Sequence, residues 1–591
     1  MAATAPPAQT DKDLASIAEA RALARRAREA QLALGEFSQE KIDSIVDAMA
    51  AAATAEAEAL ARLAVEETSY GVVADKVQKN LFGSKDVYSF IRPMKTVGVI
   101  NRIEEKKVVE IAEPFGVVAA IVPSTNPTST AIYKILISIK ARCAIVLSPH
   151  PSATRCITRV AEIMDEAGCR QGLPAGAIGW MKNVTLEGTQ ELMKAREVAV
   201  ILATGGMGLV RAAYSAGKPA YGVGPGNAPC YIEQSADLAK AAADILYGKC
   251  FDNGVLCSSP NSVVVDRAVD DEVRRQFQSQ GGHFLSAADG DLLAKALVTP
   301  QRLPNPALVG KSARYIADKV GLNVPDGTRA LLIELKGVGR DYALSIEKLC
   351  PVLSYYVAAD WREACERCKQ ILRYGGMGHT MSIHSRNEPV ILEFGLRKPA
   401  YRICVNTPAT LGAIGFTTGL DPAMTLGCGG FGGNITSDNI TSKHLLNIKR
   451  LAYETRPVTL AGGAGRSGGS GGSTETARNS ESPALPQKTG GTAPEPIAAD
   501  SLARRIDRFL ASRGLNAPSS TDAADTTVNQ LVPPARPVPP AQPVAFVCED
   551  DVRNAVKTGQ KILVGDRTII TPAARDAGEA AKVFTWQSWP A

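Results

Sequence analysis

Between Val108 and Asp266 the chain repeats one unit: a short run of valine, isoleucine, leucine or alanine, a polar or glycine loop, then apolar residues at helical spacing. Unbroken apolar runs of this length suit strands buried on both faces, and the helical segments between them supply the crossovers that parallel strands require. Val108 to Val122 and Cys143 to Leu147 read as strand, with a helix from Ser129 to Ala141 between them. The rhythm continues through a helix at Ala153 to Ala167, a strand at Val198 to Ala203, a helix at Leu209 to Ala216 and a strand at Ala220 to Val223. Beyond Asp237 a second set begins, with a helix to about Lys249 and strands at 261–266, 331–335, 352–357 and 402–405. The fold class is α/β, as two α/β domains with Cys257 at the start of the second. Asp11 to Ala64, ahead of both, reads as two alanine-rich helices broken near Gly35.

A chain of 591 residues has room for about two to four domains. A net charge of +6 without a long basic block gives no footprint for nucleic acid. The twelve cysteines follow no framework spacing, which suits a reducing compartment. Cys365 and Cys368 have CxxC spacing but no second pair, and they read as structural. Neither a secretory signal nor a membrane-length apolar run is apparent, so the expectation is a cytoplasmic protein with no membrane partner.

Chemistry concentrates in four places. Phe251-Asp-Asn-Gly-Val-Leu-Cys257 sets a thiol on a glycine-loosened turn between a helix and a strand, where a substrate can reach it. A cysteine is more often inert core filler, so the turn is what singles this one out. Thr204-Gly-Gly-Met-Gly208 joins a strand to a helix, exposing backbone N–H groups that suit phosphate; it is not a full GxGxxG fingerprint. A second glycine turn, Gly222 to Asn227, ends the next strand at the same sheet edge, which suggests a crevice. Asn126, on a proline-bracketed loop, is either an oxyanion donor or a cap for the following helix. His379, in Gly375-Gly-Met-Gly-His-Thr380, is either an acid–base or ligand group or an ordinary core histidine.

The order of these motifs resembles the acylating, CoA-dependent branch of the aldehyde dehydrogenases, including the first half of bifunctional aldehyde–alcohol dehydrogenases. The resemblance covers about residues 11 to 455 and implies the aldehyde dehydrogenase fold, a Rossmann-like cofactor domain plus an α/β catalytic domain, with a flexible C-terminal tail after it. It is carried by Ala112-Glu-Pro-Phe-Gly116, Ile121-Val-Pro-Ser-Thr-Asn-Pro127, Ser148-Pro-His-Pro151, Ile201-Leu-Ala-Thr-Gly-Gly206, Phe251-Asp-Asn-Gly254 with Cys257, Glu347-Lys-Leu349 and Asn406-Thr-Pro-Ala409. It implies Cys257 as nucleophile, Asn126 as oxyanion donor and His379 near the reaction centre. It also implies Thr204, Gly205, Gly206 and Gly208 at the cofactor pyrophosphate, Glu347 on the nicotinamide ribose and His150 at the adenosine end. The implied cofactor is NAD, with NADP left open; coenzyme A is co-substrate, no metal is required, and the assembly is a homo-oligomer (dimer or tetramer).

Hydrolytic members of that family place a glutamate after the cofactor turn to activate water. Here Ala220-Tyr-Gly-Val-Gly-Pro-Gly-Asn227 holds no carboxylate. Water needs a general base at neutral pH, whereas a thiol is partly ionised and intrinsically reactive. The expected reaction is therefore oxidation of acetaldehyde or propionaldehyde to an acyl-CoA through a Cys257 thioester. The alternatives are a functionalised small aldehyde such as sulfoacetaldehyde, or a non-acylating aldehyde dehydrogenase.

The expected layout is a mainly cofactor-binding part at 1–236, a catalytic domain at 237–430 and a closing or oligomerisation segment at 431–455. After it come a flexible linker at 456–500, an amphipathic helix at 501–514, a proline-rich linker at 515–545 and a small segment at 546–591. Leu502, Ile506, Phe509 and Leu510 share one helical face at 501–514. The last of the five histidines is His444, so the chain beyond it offers no imidazole for the iron site of a bifunctional relative. The tail resembles appendages of enzymes packaged in bacterial microcompartments, implying shell or cargo partners for 501–514 and a place in the lumen.

Overall fold

The computed structural model describes residues 7–456 and 543–586, in two compact units divided near residue 464. In the larger unit the alternation resolves into two parallel sheets. The first has five strands in the spatial order Ile178–Trp180, Ile145–Pro149, Val117–Val122, Val198–Thr204 and Ala220–Val223. All six residues of Val117–Val122 are buried, as a central strand covered on both faces requires. The chain winds outward from that strand in one direction, then returns to its other side at Val198–Thr204. The carboxyl ends of these two strands therefore form the switch point at which open α/β sheets bind ligands.

The second sheet has seven parallel strands in the order Gly282–Phe284, Ala330–Glu334, Val352–Ala358, Pro260–Asp266, Ala228–Ile232, Gly378–His384 and Ala400–Val405. Ala228–Ile232 belongs to this sheet, so the change of sheet falls at residues 224–227, earlier than residue 236. Four residues thus connect the carboxyl end of one sheet to the amino end of the other. That short link brings opposite strand ends of the two sheets together.

The alanine-rich N-terminal region forms three helices, Pro7–Gly35, Gln39–Ala55 and Ala57–Thr68, with an additional break at Glu56. The Val108–Val122 run is divided at Phe115 and Gly116. Val108–Pro114 lies in a three-stranded antiparallel sheet with Gly98–Ile103 and Leu446–Ala452, and only Val117–Val122 enters the parallel sheet. The antiparallel sheet is largely solvent-facing. Cys365 and Cys368 are buried on helix Trp361–Tyr374, packed in the core as the structural reading expects.

The smaller unit, described by itself, is a β-α-β-α-β arrangement. Parallel strands Val544–Val547, Ile562–Ile570 and Phe584–Trp586 alternate with helices Glu549–Thr558 and Pro572–Ala580 around Val547, Val552, Val564, Ala574 and Val583. The linker at 456–500, the helix at 501–514 and the linker at 515–545 fall outside the described residues, apart from Arg456 and 543–545. Among the described residues no helix is long and apolar enough to cross a membrane.

Candidate active site

A cavity of about 460 Å³ opens at the switch point of the first sheet and is closed on its far side by loops of the second. Val122 leads into Ser124, Thr125 and Asn126 along one wall, and Thr204, Gly205 and Gly206 form another. Cys257 and Glu347 complete it from the second sheet, and His150 sits at its rim. The cavity therefore gathers seven of the nine residues singled out in the sequence. Gly208 and His379 are not among the lining residues. Gly208 lies one position inside helix Met207–Tyr214, and His379 is buried at the start of strand Gly378–His384.

Cys257 follows a 3-10 turn, Phe251–Gly254, and precedes strand Pro260–Asp266. Asp252 and Asn253 have φ of +49° and +53°, the left-handed region that asparagine and aspartate tolerate better than most residues. The Cys257 thiol is pushed up to about 12, mainly by burial in the cavity wall, then by Glu347 and Cys428, with Arg402 opposing. Its own backbone N–H bonds to the sulfur and also pulls it down. Before substrate arrives, the group is a protonated, low-dielectric thiol.

Asn126 occupies the N-cap position of helix Pro127–Lys140, yet its side chain makes no capping bond. Its amide oxygen instead accepts from Lys79 Nζ at 2.6 Å, and its NH2 lies 3.2 Å from Thr125 Oγ1 and 3.4 Å from the Val255 carbonyl. Val255 and Cys257 both line the cavity, so this NH2 is turned toward the wall that carries the thiol.

The glycine turn suits a dinucleotide phosphate on its own geometry. A Cβ on Gly206 would meet nothing within 4 Å, so the backbone is open to the cavity at the start of the helix. Thr204 Oγ1 is buried and has no hydrogen-bond partner among the described residues, leaving a hydroxyl for a ligand. Glu347 Oε1 accepts from the Gly226 N–H at 2.9 Å. Burial pushes this carboxyl up to about 8, with the Gly226 N–H, Lys249 and Lys348 pulling the other way. It is mostly protonated at neutral pH, able both to donate to and to accept from a sugar diol. His150 Nδ1 pairs with Ser152 Oγ at 2.8 Å and accepts from the Ser152 N–H at 3.2 Å, so it caps its own turn at the rim.

His379 stays close to the site through the backbone. A Cβ on Gly226 would lie 2.0 Å from the Cys257 carbonyl oxygen and 3.2 Å from His379 Nδ1. Burial, and then Arg402, push this histidine down to about 3, and its Nε2 has no hydrogen-bond partner among the described residues. It is a neutral imidazole behind the Cys257 backbone.

Two buried polar side chains were not legible as part of the site: Lys76 and Lys79. The lysines stand on helix Val73–Leu81, whose Asp-Lys-Val-Gln-Lys pattern reads as an ordinary solvated face. Only their burial beside Asp252 marks them.

Residues 8–284 match the aldehyde dehydrogenase family. The chain is 48% identical to an acetylating aldehyde dehydrogenase from Geobacillus thermoglucosidasius, whose solved structure it covers over 99% of that chain and 76% of its own, with a TM-score of 0.74. The chain belongs to the aldehyde dehydrogenase family. A propionaldehyde dehydrogenase from the fucose-utilisation microcompartment of Clostridium phytofermentans is 27% identical with a TM-score of 0.66, covering 73% of this chain and 96% of that one. The bifunctional aldehyde-alcohol dehydrogenase of Escherichia coli is 42% identical over 442 residues, which are 74% of this chain and 50% of that protein. The chain thus spans about half the length of the first curated relatives it matches.

Proposed function

We propose that this family member oxidises acetaldehyde or propionaldehyde to the corresponding acyl-CoA, with NAD as hydride acceptor, and runs the same reaction in reverse. One aldehyde, one CoA thiol and one NAD+ give one thioester, one NADH and one proton. The observation that carries the reading is the cavity that joins the Cys257 thiol, the Asn126 amide and an open glycine turn, with no ionised carboxylate poised to activate water. Among the described residues that line it only Glu347 has a carboxyl group; that group is tied to the Gly226 N–H and pushed up by burial to about 8. A CoA thiol needs no such base.

Cys257 Sγ bonds to the aldehyde carbon as the thiol gives its proton to solvent, the one proton of the overall equation, and the Asn126 NH2 together with the Cys257 N–H holds the resulting oxyanion. Bound NAD supplies the acceptor for the hydride that leaves that carbon. Cys257 then carries the acyl group as a thioester until the CoA sulfur takes it and the enzyme thiol is released. Thr204, Gly205 and Gly206 would hold the pyrophosphate, and Glu347 the ribose. Among the described residues no lysine or arginine lines the cavity, which favours NAD over NADP, whose 2′-phosphate seeks a cation.

The solvent-facing antiparallel sheet and the outer strand Ala400–Val405, with Tyr401 and Val405 exposed, suit a homo-oligomer, dimer or tetramer. The tail and the likeness to a microcompartment enzyme support packaging in such a compartment, with shell or cargo proteins as partners of 501–514.

The deciding assay is NADH formation from propionaldehyde with and without CoA. NADH must depend on CoA, and Cys257→Ser must abolish both directions; sustained turnover without a thiol acceptor sinks the acylating reading. Truncation after Arg456 is expected to leave kcat/KM unchanged and to remove co-sedimentation with shells. Unchanged packaging rejects the targeting role.

A further inference from the structure

Helix Val73–Leu81 turns Lys76, Lys79 and Asn80 inward, each no more than 3% exposed. Ammonium groups at that depth need partners. Lys76 Nζ donates to Asp252 Oδ2 at 3.0 Å and to the Thr125 carbonyl at 3.3 Å. Lys79 Nζ donates to the same Asp252 oxygen and to Asn126 Oδ1 at 2.6 Å. Asp252 is itself held: its other oxygen accepts from the Val72 N–H, and its own N–H donates to Asp75, each at 2.7 Å.

We propose that Lys79 is a positioning residue for the oxyanion site, joining Asn126 on the first sheet's loop to Asp252 on the turn that delivers Cys257. The inference rests on reading Cys257 as nucleophile and Asn126 as oxyanion donor. An ammonium has donors only, so it can meet nothing but the oxygen end of the Asn126 amide. That contact turns the NH2 end toward Val255 and the thiol-bearing wall and removes the end-for-end ambiguity of an amide side chain. A cation on the amide oxygen also polarises the group, strengthening its N–H as a donor in a low-dielectric site.

A purely structural ion pair accounts poorly for this arrangement. Lys76 alone already gives Asp252 a buried cationic partner. Lys79 places a second ammonium at the same depth, where burial works against its charge, and its further bond goes to Asn126. Nothing about helix capping needs that bond, because Asn126 caps nothing.

The test is a double-mutant cycle in the full-length chain, assayed with propionaldehyde, NAD and CoA. Lys79→Met is expected to lower kcat roughly 10- to 100-fold, less than the roughly 100- to 1,000-fold that removing an oxyanion donor outright costs, with both KM values within about two-fold. Placed in an Asn126→Ala background, the same substitution is expected to change kcat by less than about two-fold, because its route through Asn126 is gone. Full kcat in the methionine variant, or losses that multiply in the double variant, overturns the inference. If Asn126→Ala alone keeps its kcat, the underlying assignment of the donor fails instead. Should Lys79→Met not fold, Lys79→Gln goes through the same cycle, and multiplying losses there overturn the inference equally.

Discussion

The two parallel sheets meet the cavity with opposite ends, and they equip it differently. The first presents the carboxyl ends of Val117–Val122 and Val198–Thr204, the second the loops that enter the amino ends of its strands. Gly226, Cys257 and Glu347 precede strands Ala228–Ile232, Pro260–Asp266 and Val352–Ala358 respectively. At the carboxyl end the glycine turn is bare backbone at a helix start, which suits a ligand that brings its own negative charge. At the amino end the groups are side chains locked by buried contacts: Asp252 by two lysines, Glu347 by the Gly226 N–H. A phosphate tolerates loose docking, whereas a carbon–sulfur bond requires placement well within an ångström. Asn126 is the exception that fits the rule, since it lies on the first sheet's loop but is pinned through Lys79 to the second sheet's turn.

Substitutions should therefore cost most at the amino end. Asp252→Ala leaves two buried ammonium groups without their carboxylate and is expected to destabilise the fold by about 3–5 kcal/mol, read by denaturant unfolding. Gly226→Ala forces the Cys257 carbonyl away from a Cβ that would otherwise lie 2.0 Å from it. We expect a loss of about 100-fold in kcat, since an ångström of misplacement costs that much. Alkylation of Cys257 in the free enzyme should be slow at neutral pH and quicken about ten-fold per pH unit from 7 to 9, because the thiol stands near 12. A plateau in that range would place the thiol much lower.

The Glu347 carboxyl makes a separate prediction about stability. Its folded value of about 8 lies above its ordinary 4.5, so the folded state holds more protons between those limits and stability falls as pH rises through them. Lys79, Lys249 and Lys348 are pushed down and His379 lies near 3, so these groups work against that fall, in part within the same window. Glu347→Gln should therefore make the change of thermal midpoint with pH between 5 and 8 more positive than in the parent; an unchanged slope argues against the buried carboxyl. The smallest effect is expected at the carboxyl end. Gly206 has an ordinary φ of −66° and open space around it, so Gly206→Ala should fold normally and raise the KM for NAD only about three- to ten-fold.

Much of this architecture was readable beforehand where one local rule governed. The run Val198 to Ala203 is apolar throughout because its strand is buried on both faces, and it reads as strand without context. Val108 to Val122 is equally rich in valine and isoleucine, yet it divides between a solvent-facing antiparallel sheet and a buried parallel one. Composition cannot tell these apart, because only the pairing partners differ, and one of them is Leu446–Ala452, more than 300 residues away. Ala228–Ile232 shows the same limit, since nothing local says which sheet an apolar run will join. In the site, Cys257, Asn126 and Glu347 stood out by motif and converge on one cavity, whereas His379 lies outside its lining.

The sequence by itself determined the parallel α/β class, the cysteine turn and the lack of a carboxylate between 220 and 227, because each depends on residue type and near neighbours. Tertiary structure alone decided which groups surround the thiol. Lys79 and Asp252 are 173 residues apart, and Gly226 and Glu347 are 121 apart. The protonation of a buried group is set by what folding packs against it, and no local pattern carries that information.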